Sequence, residues 1–247
     1  MARAWVGTSG WSYRHWQRRF YPDKLPARDQ LPFLAERFAT VEINYSYYQL
    51  PPRTTFEAWR ARSPEGFVFA VKASRYLTHL KKLNEPEEPL QRLLEHAGGL
   101  GDKLGPILFQ FPRFWDRHLP RLSAFLEALR AHPGHRYAFE FRHASWLVPE
   151  VYALLRREQA ALCLPIGWGI PLDVQRTADW TYLRFHAGEH GIGFSDAELR
   201  PWAERLRGYR AQGVDSYVYF NNDQIEHDQP QAIVNAQRLL ELLEQAQ

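Results

Sequence analysis

The sequence predicts a single (β/α)8 barrel of the TIM type, and three observations lead there. Eight strand-like segments alternate with stretches of helical periodicity. Such alternation implies parallel strand pairing, and eight units in 247 residues suit a closed barrel. The first strand runs into Gly7-Thr8-Ser9-Gly10-Trp11, which lacks the GxGxxG turn of a doubly wound nucleotide-binding sheet.

The expected strands are Ala4–Ser9, Thr40–Tyr45, Phe67–Ala73, Pro106–Phe111, Tyr137–Arg142, Ala160–Ile166, Thr181–His186 and Ser216–Asn221. Between them, apolar residues recur at helical spacing. Leu90, Leu93, Leu94 and Ala97 make one stripe, and Leu119, Leu122, Leu126 and Leu129 another. Leu199, Trp202, Leu206 and Tyr209 make a third, and Ile233, Ala236, Leu240 and Leu243 a fourth. Thr54 with Glu57 and Ser195 with Glu198 have the spacing of capping boxes. The sixth unit is the exception. Residues 167–179 are rich in Gly and Pro with no apolar stripe, so the sixth helix is expected to be short or irregular. Residues 1–247 read as one barrel domain.

The connections are of two kinds. Helix-to-strand links such as His132-Pro133-Gly134-His135 are short and generic. Strand-to-helix links are longer and carry unusual residues, as in 11–29, 74–88, 187–194 and 222–229. In a barrel this second kind surrounds the working site.

Period-2 alternation decides which residues share a strand face. Val68, Ala70 and Lys72 lie opposite Phe67 and Phe69; Ala138, Glu140 and Arg142 lie opposite Tyr137 and Phe139. The helix-covered side must be apolar, so the charged set points into the barrel near its top. The same reasoning places Glu42, Asn44, Gln110, Arg184 and His186 there, with Asn221, Asn222 and Asp223 ending the last strand. An internal ion-pair network would also hold such charges, but it has no need to gather them from six strands at one end. Lys72, Arg142, Arg184 and Arg75 suit a phosphate or carboxylate. Glu42, Glu140 and Asp223 are candidate acid/base groups or metal ligands, and His79, His143 and His186 serve either role. With neither HExxH nor paired CxxC, a divalent metal is compatible with the residue types but not favoured.

Aromatic residues make up 15% of the chain, with nine Trp, and they crowd the same loops. Most are expected to pack those loops on the rim. Trp11 and Tyr45, next to strand ends, are the expected ligand contacts. The net charge of +3 neither demands nor excludes nucleic acid, and only five of the 31 basic residues are Lys. The basic-aromatic runs 14–19 and 75–82 keep a single-strand nucleic-acid binder in view. The lone Cys163 forbids an intrachain disulfide and sits in an apolar run as an inert core thiol. No signal peptide or membrane-length apolar run is present, so a cytoplasmic location without membrane contact is expected. Nothing in the pattern speaks to oligomeric state.

A series of motifs resembles the YecE-like family. They are Gly7-Thr8-Ser9-Gly10-Trp11-Ser12-Tyr13 with Phe20-Tyr21-Pro22, Val41-Glu42-Ile43-Asn44 with Tyr47-Tyr48, and Phe69-Ala70-Val71-Lys72 with Thr78-His79. Leu108–Pro112, Glu140-Phe141-Arg142-His143 with Trp146, Arg184-Phe185-His186 and Tyr219–Asp223 complete the series. The resemblance implies a TIM-type barrel of unassigned function, similar in shape to apurinic endonucleases and sugar isomerases. This chain lacks the full His and carboxylate set of a three-metal site. The expected activity is therefore hydrolase-like, on a small-molecule or nucleotide-like substrate bearing phosphate or carboxylate. Lys72, Arg142 and Arg184 would hold the anion, Glu140 act as base or metal ligand, and His186 as acid or ligand. Asp223 joins Glu140, His186 and Lys72 as a catalytic candidate. Glu42, Asn44, Trp11, Tyr45, His79, Gln110, Asn221 and Asn222 would contact substrate. Metal-free carbohydrate chemistry by a Glu42–Glu140 pair is the rival enzyme reading.

Overall fold

The computed structural model describes residues 2–245. Eight parallel strands close into a barrel in sequence order, and the first pairs with both the second and the eighth. They are β1 Ala4–Ser9, β2 Thr40–Ile43, β3 Val68–Lys72, β4 Leu104–Gln110, β5 Tyr137–Glu140, β6 Ala161–Gly167, β7 Trp180–Ala187 and β8 Asp215–Phe220. The helices are α1 Ala27–Ala35, α2 Tyr45–Tyr48, α3 Arg53–Ala61, α4 Glu87–Ala97, α5 Leu119–Arg130, α6 Pro149–Arg157, α7 Asp196–Ala211 and α8 Gln231–Glu244. No described helix is long and apolar enough to cross a membrane.

Two apolar regions follow from the alternation. Outward strand residues such as Val41, Phe69, Phe109, Phe139 and Phe185 meet the buried stripes of the helices. Inward residues fill the barrel itself, with Ala70, Leu108, Ala138 and Ala161 on one side and Trp180, Tyr182, Tyr217 and Tyr219 on the other. Small residues face large ones, so the interior is a packed core topped by polar groups.

Three local expectations are corrected. β2 ends at Ile43, and Tyr45 opens the single turn α2, so Asn44 and Tyr45 sit in the connection. α3 begins at Arg53 with Pro52 at its N-cap, where Pro supplies a fixed φ; the Thr54–Glu57 capping box does not form. The Ser195–Glu198 box does form on α7. Between β6 and β7 there is no helix at all. Residues 168–179 begin with a turn at Trp168–Gly169 and then continue without regular secondary structure, with Tyr152 donating to Asp173 at 2.6 Å.

Gly7 is required by the tightness of closure. A Cβ there would overlap the carbonyl oxygen of Thr40 on the neighbouring strand. Gly7→Ala is therefore expected to lower stability by about 2–3 kcal/mol through forced displacement of β2, read from the denaturant midpoint at constant m-value.

Candidate functional site

The barrel's upper end is organised around one arginine. Arg184, on β7, is fully buried. Its Nη1 donates to Glu140 Oε2 and its Nη2 to Glu42 Oε1, each at 2.8 Å. Nη2 also reaches Asn221 Oδ1 at 3.2 Å. Glu42 is completed by two hydroxyls. Tyr182 donates to Oε2 at 2.6 Å, and Ser9, opposite Glu42 in the β1–β2 register, donates to Oε1. Glu140 Oε1 takes the Nε of Arg142, while the Cys163 thiol lies 3.8 Å from Oε2.

Burial alone would push the Glu140 carboxyl up, but the charges of Arg184 and Arg142 outweigh it and hold the group well below the carboxylate range. A carboxylate so saturated is a very weak base, which speaks against the expected role of Glu140 as general base. Both terminal nitrogens of Arg184 are likewise committed to the protein's own groups; its Nε has no partner among the described residues but is buried away from solvent. His186 is nine-tenths buried, and burial first, then the Arg184, Arg142 and Lys72 charges, keep its imidazole neutral despite Glu140. A neutral imidazole of this kind is not a general acid at neutral pH.

The contacts of His186 leave a mismatch. Arg142 Nη2 faces Nε2 at 3.0 Å, and Asn221 Nδ2 faces Nδ1 at 3.2 Å. Both groups can only donate here, since Asn221 Oδ1 is turned to Arg184, while a neutral imidazole accepts at one nitrogen and carries its proton on the other. One of the two donors therefore meets a ring N–H. The mouth thus holds one donor more than its acceptors use, which suits an incoming oxygen anion.

Lys72 ends β3 beside this network and is buried. Its amine makes neither a hydrogen bond nor an ion pair among the described residues; instead it lies 3.9 Å from the centroid of the Tyr47 ring. Burial and the nearby Arg184 charge lower its pKa from 10.5 to about 7, against the upward pull of Glu42 and Glu140. The charge count explains the balance. Lys72, Arg142 and Arg184 face only Glu42 and Glu140, so a proton on Lys72 leaves the mouth with one unmatched positive charge.

The remaining candidates divide. His79 lies beyond Tyr47 on a single π turn, Tyr76–Leu80, with its Nε2 3.1 Å from the Tyr47 hydroxyl and its pKa lowered by burial to about 4. Asp223 stands at the rim with its carboxyl raised by burial; its backbone oxygen accepts from Trp16 at 3.1 Å and lies 2.7 Å from His15 Nε2. It is not part of the Arg184 network. Gln110 bonds only the backbone of Phe111, at 3.2 Å. Asn222 turns away from the mouth and donates to Ile192 O and Asn235 Oδ1, both at 2.9 Å, so its expected substrate contact is corrected. Trp11, Tyr45 and Asn44 line a groove of about 520 Å³ beside the mouth.

Ser9, Tyr182 and Tyr47 also belong to the mouth, and none of them is among the expected site residues. Tyr182 was within reach of the sequence, since it shares a strand face with Arg184 and His186. No group of three or more His, Cys, Asp or Glu side chains among the described residues is arranged to hold a metal ion. The oxygens of Glu42 and Glu140 already accept from arginine and hydroxyl donors.

Known proteins match this chain along its whole length. A DUF72 family protein of Thermotoga maritima, 29% identical, superimposes with a TM-score of 0.82 over 98% of this chain and 99% of its own. Another from Enterococcus faecalis, 20% identical, gives 0.81 over 99% and 97%. The UPF0759 protein YunF of Bacillus subtilis is 26% identical over 97% of this chain and 94% of its own length. Residues 5–247 match the family described as "Protein of unknown function DUF72", and the chain belongs to that family.

Proposed function

We propose that the chain is an enzyme acting on a phosphate- or carboxylate-bearing small molecule at the barrel mouth, with Lys72 as its reactive group. One observation carries this reading: the Lys72 side chain is buried with its amine against the Tyr47 ring and paired by neither nearby carboxylate, surroundings that lower its pKa to about 7. An amine half-neutral at pH 7 serves as general base or nucleophile. Arg142, at the edge of the network, and the ring proton of His186 supply donors to the anion. Glu42, Glu140 and Arg184 hold these groups in place. The expected reaction class is hydrolysis, with Lys72 taking a proton from the attacking water. The finer YecE-like assignment belongs to the same proposal, carried by the motif series from Gly7 to Asp223.

The rival readings find less support. One guanidinium bridges Glu42 and Glu140, and Glu140 is held ionised, so the pair lacks the protonated acid that glycoside cleavage needs. Half of the cations in the two basic loops are neutralised by neighbouring acids: Arg18 pairs with Asp23 at 2.9 Å and Arg19 with Asp228 at 2.7 Å, while Lys81 pairs with Glu85. That thins the basic surface these loops offer to nucleic acid.

NMR titration of the protein after ¹³C-methylation of its lysines tests the proposal. One resonance, absent in Lys72→Met, is expected to titrate near pH 7 and to move upward when inorganic phosphate is added, because a bound anion matches the extra charge. Hydrolysis of a phosphomonoester, phosphodiester or carboxylester panel should then depend on Lys72 and Arg142. A Lys72 midpoint above pH 9, or one indifferent to both phosphate and small carboxylates, would overturn the assignment.

A further inference from the structure

We infer that the groove beside the mouth is a nucleobase subsite, so that the substrate is a nucleotide held by its base in the groove and by its phosphate near Lys72; this rests on the reading of the mouth as an anion site. The groove encloses about 520 Å³, within the range of small-molecule sites. Its walls are Trp11, Tyr45, Tyr48 and Trp59, with Arg28 and Asn44 among them. Trp11 is buried and meets Trp59 edge-on at 5.1 Å, a fixed apolar surface. Tyr45 and Tyr48 are 56% and 65% exposed, and they lie three residues apart on one turn, so their rings share a side of it. Exposed planar rings over a rigid aromatic surface suit stacking with a flat ligand.

The polar groups favour a base over a sugar. A sugar offers several hydroxyl donors and needs several acceptors, yet no carboxylate lines the groove. Asn44 supplies an amide whose oxygen is buried without a hydrogen-bond partner among the described residues. Its nitrogen side is engaged by the Tyr13 hydroxyl, so the oxygen is the atom left to accept from a ligand, and the exocyclic amine of a base supplies such a donor.

The groove and the mouth are joined by one helical turn. In α2, Tyr45 and Tyr48 line the groove while Tyr47, between them, places its ring against the Lys72 amine. A helix with its side chains is about 10–12 Å across, within the span of one nucleotide.

Calorimetric titration with four probes tests this: inorganic phosphate, adenosine, adenosine 5′-monophosphate and glucose 6-phosphate. Tyr45→Ala and Tyr48→Ala are exposed changes that leave the fold intact. Adenosine is expected to bind the wild type, and the nucleotide to bind more tightly than either adenosine or phosphate. Each Tyr→Ala change should weaken adenosine and nucleotide binding by roughly 5-fold to 150-fold, the measured range for losing a stacked base, with phosphate affinity unchanged. Phosphate bound without adenosine would overturn the groove and leave the anion site standing. Adenosine bound without phosphate would overturn the anion site and the bridging nucleotide, leaving the base subsite. Glucose 6-phosphate bound more tightly than the nucleotide, with the same dependence on Tyr48, would assign the groove to a sugar instead.

Discussion

Replacing Arg184 with Met is expected to cost about 5 kcal/mol or more, the largest effect of any single change in the mouth. Removing one partner of a buried ion pair typically costs about 3–5 kcal/mol because the other charge is stranded, and this guanidinium serves two fully buried carboxylates at once. Whole-domain stability is only about 5–15 kcal/mol, so the variant is expected to be partly unfolded at pH 7. Its pH dependence identifies the cause. Without Arg184 the buried Glu140 has a native pKa above that of the unfolded chain. The penalty is then present at neutral pH and shrinks as falling pH protonates the carboxyl in the native state. The deficit against wild type should therefore narrow toward pH 4. Glu42→Gln combined with Arg184→Met should recover much of the loss, since Glu140 keeps its partner Arg142 and no buried carboxylate is then left without a cation. A deficit that is flat with pH and unrelieved in the double variant would mean that Arg184 matters for its packing instead.

The same network shows what was readable from the sequence alone. Strand periodicity located the mouth because inward and outward residues obey a strict alternation: Val68-Ala70-Lys72 and Ala138-Glu140 are small residues beneath a charge, opposite rings packed on helices. The eight strands follow from that rule. Roles were harder to read, because a role depends on which charge meets which. Arg184 looked like an anion clamp until its two partners arrived from β2 and β5, more than forty residues away in each case. Glu140 looked like a base for the same reason. Asn222 is one residue beyond Asn221, and a turn of the backbone sends it to α8 and the β7–α7 connection instead of the mouth. The missing sixth helix was partly visible, since a Gly- and Pro-rich stretch cannot carry an apolar stripe. Tyr47 was visible only as part of a motif and not as a site residue, because its contact with Lys72 comes from the single turn α2, beyond the expected strand.

Replacing Lys72 with Met is expected to stabilise the protein by about 3–4 kcal/mol at pH 6. A fall in pKa from 10.5 to about 7 corresponds to about 4–5 kcal/mol borne by the native state when the amine is charged. Loss of the contact with the Tyr47 ring returns about 1 kcal/mol of that. Met has nearly the same length and leaves two arginines facing two carboxylates, a matched set. The sign of the pH dependence follows from proton counts. Below pH 7 the amine is charged in both states and the native state bears the whole cost. Between pH 7 and 10.5 the native state has already released its proton while the unfolded chain keeps it, so wild-type stability climbs toward that of the variant. Above 10.5 the amine is neutral in both, and the advantage of Met has gone. Urea unfolding of both proteins at pH 6, 8 and 10 reads this directly, and equal stabilities at pH 6 would mean that Lys72 carries no buried-charge penalty. A lysine whose removal strengthens the fold is not there for the fold. At this end of the barrel, beside an unmatched donor and an aromatic groove, that cost is the physical ground for assigning Lys72 to chemistry.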